Sequence, residues 1–134
     1  TVRAFVAHLM GYDYPDTPIQ INEVKRFVET QQKPGDLGSV IAGDFNVSSS
    51  STANYEHLVN STPVFTDTYW TANGAGGVTA PDCSSRIDYV FWCDGAWKAE
   101  DLKISSQTAF TGKALAEVVL PVVSDHYAVV TTLS

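Results

Sequence analysis

The order of hydrophobic periodicities along the chain predicts a mixed α/β fold. Three observations carry that reading. Strand-sized apolar runs alternate with two stretches of helical spacing, the 134 residues suit one hydrophobic core, and 44% hydrophobic against 17% charged residues is a globular balance. Two independent domains, general disorder and a fibrous repeat are disfavoured by the same numbers. No apolar run approaches the roughly 18 residues that cross a bilayer, so no transmembrane segment is expected. Eight basic against fifteen acidic residues leave a net charge of −7, which lacks the positive field of a protein that grips polyphosphate backbones.

Val2 to Leu9 alternates apolar with small or β-branched residues and reads as a strand that delivers His8 near its C-terminal end. Thr1 precedes it directly, with neither an initiator Met nor an apolar signal core, so a cut or processed beginning is expected. After a loop over 11–16, Thr17-Pro18-Ile19-Gln20 offers an N-cap hydroxyl, a proline at the first helical position and a glutamine to complete a capping box. Ile21, Val24, Phe27 and Val28 then form one apolar stripe, with Glu23, Lys25, Arg26 and Glu29 facing elsewhere until Lys33-Pro34-Gly35.

Ser39 to Gly43 is a short apolar run typical of a buried strand, and it leads into Asp44-Phe45-Asn46. Tyr55, Leu58 and Val59 mark a short helix after the serines at 48–51, with His57 read as a surface or packing residue. Pro63 to Ala80 reads mostly as loop; its glycines at 74, 76 and 77 lack the following helix and lysine of a phosphate-cradling loop. Arg86 to Trp92 is the strongest strand pattern, placing Arg86, Asp88 and Val90 on one face and Ile87, Tyr89 and Phe91 on the other. Leu102 to Phe110 and Tyr127 to Leu133 are the remaining strand patterns. Cys83 and Cys93 flank a strand that separates them by more than about 20 Å, which opposes a mutual disulfide.

Four polar sites interrupt or end apolar strands: His8, Asp44 with Asn46, Asp88, and Asp125 with His126. Buried ionised groups cost several kcal/mol unless paired, hydrogen-bonded or metal-bound, so these positions need partners, and they could serve one another. Asp44 and Asn46, two apart, would project from one face of an extended chain and offer an acceptor and an amide donor at a common point. Each residue alone has a plainer reading. Asp44 after a glycine suits a turn, Asp88 could neutralise Arg86, Asp125 could open a turn, and His8 and His126 could be satisfied structural histidines.

Taken in order, Val40-Ile41-Ala42-Gly43-Asp44-Phe45-Asn46, Arg86-Ile87-Asp88-Tyr89-Val90-Phe91 and Ser124-Asp125-His126-Tyr127-Ala128-Val129 resemble the motifs of the endonuclease/exonuclease/phosphatase superfamily. His8-Leu9 with the helix containing Gln20 and Glu23, and Phe65-Thr66-Asp67-Thr68-Tyr69, look like its further segments. The resemblance spans residues 1–134 but only the C-terminal half of a family domain. It implies half of a four-layered, DNase I-like α/β sandwich, with a mixed, mostly antiparallel sheet, flanking helices and one apolar sheet face awaiting a missing N-terminal half or companion chain.

The same resemblance implies a phosphoesterase that uses Mg²⁺ or Mn²⁺. Asp88 would orient His126 so that it assists proton transfer or orients the attacking water, Asp44 would position or deprotonate that water, Asn46 would hold a phosphoryl oxygen, His8 would add a phosphate contact or proton donor, and Asp125 would bind the metal directly or through water. The upstream Asn and Glu with which the family binds its cation have no counterpart here. Nucleic acid, phospholipid and small phosphoesters are the candidate substrates, with acidity favouring the last two. Tyr69-Trp70 or Trp97 could touch a lipid surface, although packing explains them as well. A non-catalytic interaction or structural module of the same fold is the alternative; a lectin-like β domain would leave Asp44, Asp88 and Asp125-His126 unexplained. Abundant Ser and Thr and the sequon at Asn60 point to an extracellular or secreted protein rather than a soluble intracellular one, whereas glycan on the sequon at Asn46 would block the proposed site.

Overall fold

Alternation along the first strand decides which face of the sheet is covered. The computed structural model describes residues 1–11, 15–50, 52–80, 84–109 and 126–134. In β1 (Val2–His8), Arg3, Phe5 and Ala7 are half-buried while Val2, Ala4, Val6 and His8 are exposed. β1 pairs in parallel with β2 (Gly38–Asp44), and β2 pairs antiparallel with β4 (Asp88–Asp94). The two-residue β3 (Thr66–Asp67) adds antiparallel to β4, giving the order β1-β2-β4-β3. The sheet is therefore mixed and mostly antiparallel.

α1 (Thr17–Gln31) and α2 (Thr52–Asn60) cover one face of this sheet. Ile21, Val28 and Leu58 from the helices pack with Ile41, Phe45, Phe65, Tyr89 and Phe91, all buried. Phe45 meets Phe91 edge-on at 5.1 Å between centroids, and Tyr89 stacks on Phe91 at 4.9 Å. Full burial of a side chain such as Phe91 contributes about 1.5–3 kcal/mol, so this aromatic seam is a main source of cohesion.

The start of α1 differs from its sequence expectation. Asp16 occupies the N-cap position, without a side-chain cap, and Thr17 is already helical with its hydroxyl buried and unpaired among the described residues. Gln20 Oε1 instead accepts the backbone N–H of Met10, so the glutamine fastens the β1 exit rather than closing a capping box. Lys25 is a second correction: it is buried, not solvent-facing. Its ammonium donates to the carbonyls of Ser61 and Pro63 at 2.9 and 2.6 Å and lies 4.2 Å from the centre of the Phe65 ring. Burial pushes its pKa from 10.5 down to about 8.

Between Pro63 and Ala80 the expected loop is interrupted by two short elements. β3 runs straight into α3 (Thr68–Asn73), whose N-cap Asp67 accepts from the backbone N–H groups of Tyr69 and Trp70. β5 (Ile104–Ala109) and β6 (Ala128–Leu133) form a separate antiparallel pair beside α3 and β4. Phe110, at the expected end of the fifth strand, lies outside the described residues.

The other sheet face stays open at its β1 end, where Val6 is 88% exposed and Val2 is also exposed. Cys93 is a buried free thiol on β4; Cys83 lies outside the described residues. No helix among the described residues is long and apolar enough to cross a membrane.

Candidate functional site

Strand register brings the first three polar residues into one row. His8, Asp44 and Asp88 are consecutive partners across β1, β2 and β4, so their side chains leave the same, open face at one end of the sheet. The close approach of β1 to β2 at this end needs Gly43. Its φ is +139°, and a Cβ there would stand 1.9 Å from the Ala7 carbonyl oxygen.

His126, immediately upstream of β6, completes the row. Its Nδ1 lies 2.8 Å from Asp88 Oδ2, with both side chains about a quarter exposed. Asp44, Asp88 and His126 each present one potential ligand atom, and these atoms lie within 4.8 Å of one another. Burial pushes the Asp44 carboxyl above its usual range and the neighbouring Asp88 charge adds to the rise; the Asn46 N–H and the two imidazoles oppose it. His8 stands at the margin, 75% exposed, with Nε2 at 3.7 Å from Asp44 Oδ2.

Asn46 reaches the site by a different route from the one its spacing suggests. β2 ends at Asp44, and Asn46 adopts φ 50°, so strand alternation does not extend to it. Its backbone N–H donates to Asp44 Oδ1 at 2.8 Å, and its buried side-chain amide donates to the Leu9 carbonyl at 2.7 Å. One amide hydrogen therefore ties the β1 exit to the β2 exit. Such burial also leaves no room for a glycan at Asn46. Asp125 lies outside the described residues.

Arg86 does not pair with Asp88. It precedes β4, where alternation does not apply, and its guanidinium turns inward to grip Asp67 with Nη1 at 3.2 Å and Nη2 at 2.7 Å. Tyr69 and Tyr89 face the guanidinium at 4.9 and 4.6 Å, and Tyr55 donates its hydroxyl to Asp67 Oδ2. Asp67 was missed by the sequence reading as a buried partner; its position just ahead of Thr68-Tyr69-Trp70 is the N-cap signal that could have found it. The neighbouring backbone is zipped to the loop after β2, with Phe45 N–H donating to Ile87 O and Ser49 N–H to Arg86 O. Tyr89 Oη sits 2.6 Å from the Val47 carbonyl, closing the same seam.

The model of the Endonuclease/Exonuclease/phosphatase family matches residues 2–126. The chain belongs to this family. Among solved structures it is similar to the mannosyl-6-phosphatase Bt3783 of Bacteroides thetaiotaomicron, with 17% identity and a TM-score of 0.63 over 97% of this chain and 50% of that one. An endonuclease/exonuclease/phosphatase family protein from the same organism gives 17% identity and a TM-score of 0.63, covering 96% of this chain and 49% of that one. The chain thus spans about half the length of these structures, and the likeness establishes a shared fold. None of the curated proteins matches the sequence.

Members of the endonuclease/exonuclease/phosphatase family are generally metal-dependent, and the donor set here fits a hard divalent cation. Two carboxylates and an imidazole converge at an open sheet end, with Asp44 and Asp88 supplying the oxygen donors that such ions prefer. His57, the remaining histidine, bonds Asn22 Oδ1 at 2.8 Å between α2 and α1.

Proposed function

We propose that this chain is the C-terminal half, residues 1–134, of an endonuclease/exonuclease/phosphatase domain that hydrolyses phosphate esters with a divalent metal, Mg²⁺ or Mn²⁺. The observation that supports this best is the convergence of Asp44 with the Asp88–His126 pair from three separate strands or strand ends. An N-terminal half, in the same or a companion chain, would cover the open face and supply the remaining metal ligands. Activity is expected only when that half is present.

The contacts and the family resemblance together support a role for each residue. Asp88 accepts from His126 Nδ1–H, which fixes the tautomer and leaves Nε2 as the free, basic ring nitrogen. His126 then accepts a proton at Nε2 from the attacking water or orients that water. Asp44, with its carboxyl held above the ordinary range and steadied by the Asn46 N–H, orients the water. Asn46 shapes the turn and directs its remaining amide hydrogen towards a phosphoryl oxygen. His8, exposed beside Asp44, contacts the outer phosphate oxygens. Asp44, Asp88 and, by resemblance, Asp125 would hold the cation, which when bound neutralises charge on the phosphoryl oxygens.

Small or lipid phosphoesters fit the net charge of −7 better than duplex nucleic acid does. The mannosyl-6-phosphatase neighbour makes sugar phosphates a first class to assay. The exposed position of Asn60 at the end of α2 agrees with glycosylation of a secreted protein.

The test is turnover of p-nitrophenyl phosphate, bis-p-nitrophenyl phosphate and a hexose 6-phosphate by the full-length protein, with Mg²⁺ or Mn²⁺ and after chelation. Metal-dependent release of phosphate or nitrophenol is expected. No turnover of any ester with either metal would overturn the hydrolase reading and favour the non-catalytic module.

A further inference from the structure

Thr79 is fully buried, lies outside every motif discussed above, and follows the glycine-rich segment that had no assigned purpose. Its hydroxyl oxygen accepts two backbone N–H groups, from Ile87 at 3.0 Å and from Asp88 at 3.1 Å. Its carbonyl accepts the N–H of Tyr127, the residue after His126, at 2.7 Å. Its own N–H donates to the Ser85 carbonyl at 3.0 Å, beside the Ala80–Ser85 bridge. One residue therefore grips the backbone of Asp88 with its side chain and the backbone next to His126 with its main chain.

We infer that Thr79 is the positioning residue of the Asp88–His126 pair, setting the distance between a residue of the four-stranded sheet and one just ahead of the two-stranded sheet. Asp88 begins β4 and His126 precedes β6; among the described residues, Thr79 bonds the backbone at both sites. The 2.8 Å contact between Asp88 Oδ2 and His126 Nδ1 depends on both backbones being held, since neither side chain is enclosed on all sides. A β-branched residue suits the task because its χ1 is stiff, which keeps the hydroxyl aimed at both donors. Thr79 itself is sealed from solvent and touches no substrate. Loss of a group that orients a reactive imidazole or its partner typically lowers activity about 10–100-fold.

The inference rests on the hydrolase reading for its kinetic consequence, but its geometric content can be read without turnover. Thr79→Val removes the double acceptor at nearly constant volume, Thr79→Ser retains it, and Thr68→Val is the control. Thr68 is another fully buried threonine, whose hydroxyl is bonded to the Val90 carbonyl and the Thr131 hydroxyl. In the full-length protein, Thr79→Val is expected to lower kcat by about 10–100-fold with KM changed less than about twofold, while Thr79→Ser and Thr68→Val stay within about threefold of wild type. By NMR, the downfield His126 Nδ1–H signal is expected in wild type and Thr79→Ser, and lost or shifted in Thr79→Val. If Thr79→Val does not fold, Thr79→Ala is read by the same signal. An unchanged signal and kcat in the folded variant overturn the assignment, as does an equal loss of kcat in Thr68→Val. A wild type without turnover on any ester overturns the hydrolase reading alone, and the imidazole signal still decides the role of Thr79.

Discussion

Two paired carboxylates are anchored at the head of β4, one through Arg86 just ahead of the strand and the other as its first residue, Asp88, and the pairs differ in almost every physical respect. Arg86 and Asp67 are sealed: the guanidinium is fully buried between two tyrosine rings, and the Asp67 carboxylate collects hydrogen bonds from Arg86, Tyr55 and two backbone N–H groups. Asp88 and His126 are half-open, joined through one ring nitrogen, with a second carboxylate within reach. A saturated carboxylate has no lone pair to offer a newcomer and serves as structure. A pair left partly open to solvent at a sheet end can exchange protons and bind a guest, and the difference separates scaffold from chemistry.

Disrupting the open pair or the carboxylate beside it has the largest expected effect, and on rate alone. His126→Ala or Asp44→Ala in the full-length protein is expected to lower kcat by about 10²–10⁴-fold. The melting temperature should stay within a few degrees of wild type, as measured by calorimetry beside the kinetic assay. Breaking the sealed pair should do the reverse. Asp67→Ala strands a buried guanidinium and is expected to cost about 3–5 kcal/mol in a denaturant titration. Its kcat per folded molecule should be preserved once the unfolded fraction is subtracted. A rate loss in Asp67→Ala that exceeds its unfolded fraction would erase the distinction between the two pairs.

Lys25 sharpens the comparison, being a buried cation held by carbonyls and a ring instead of a carboxylate. Its folded pKa of about 8 lies below the ordinary 10.5, so between those values the unfolded chain binds more protons than the folded one. Stability contributed by this site must then rise as pH increases through that window. Relative to Lys25→Met, wild type is expected to gain at most about 1.4 kcal/mol per pH unit between pH 8 and 10, followed by urea unfolding. A flat difference would contradict the burial of this lysine. The smallest effect belongs to His8, exposed and 3.7 Å from Asp44: His8→Ala is expected to change kcat by less than about tenfold.

Most of the architecture was legible because periodicity survives wherever an element is long enough to repeat. β1, α1, β2 and β4 all carry several cycles of their pattern, and register alone then aligns His8, Asp44 and Asp88. Patterning failed where elements are too short to show a period: the two residues of β3 and the six of α3 were absorbed into loop. It failed again just outside element ends. Arg86 lies two residues before β4 and Asn46 two residues after β2, so neither follows the alternation assigned to it. The burial of Lys25 was invisible because its partners are carbonyls from a segment more than thirty residues away, which carry no side-chain signature.

The decisive measurement is a kinetic cycle on Asp44, at the end of β2, and His126, ahead of β6, which meet only if the site closes as described. Residues that act on one reacting group do not multiply their losses. In the full-length protein, the Asp44→Asn/His126→Ala double variant is expected to turn over within about tenfold of the slower single variant. Losses that multiply, with each substitution acting as though the other were absent, would show that the two residues serve separate places and would contradict the account.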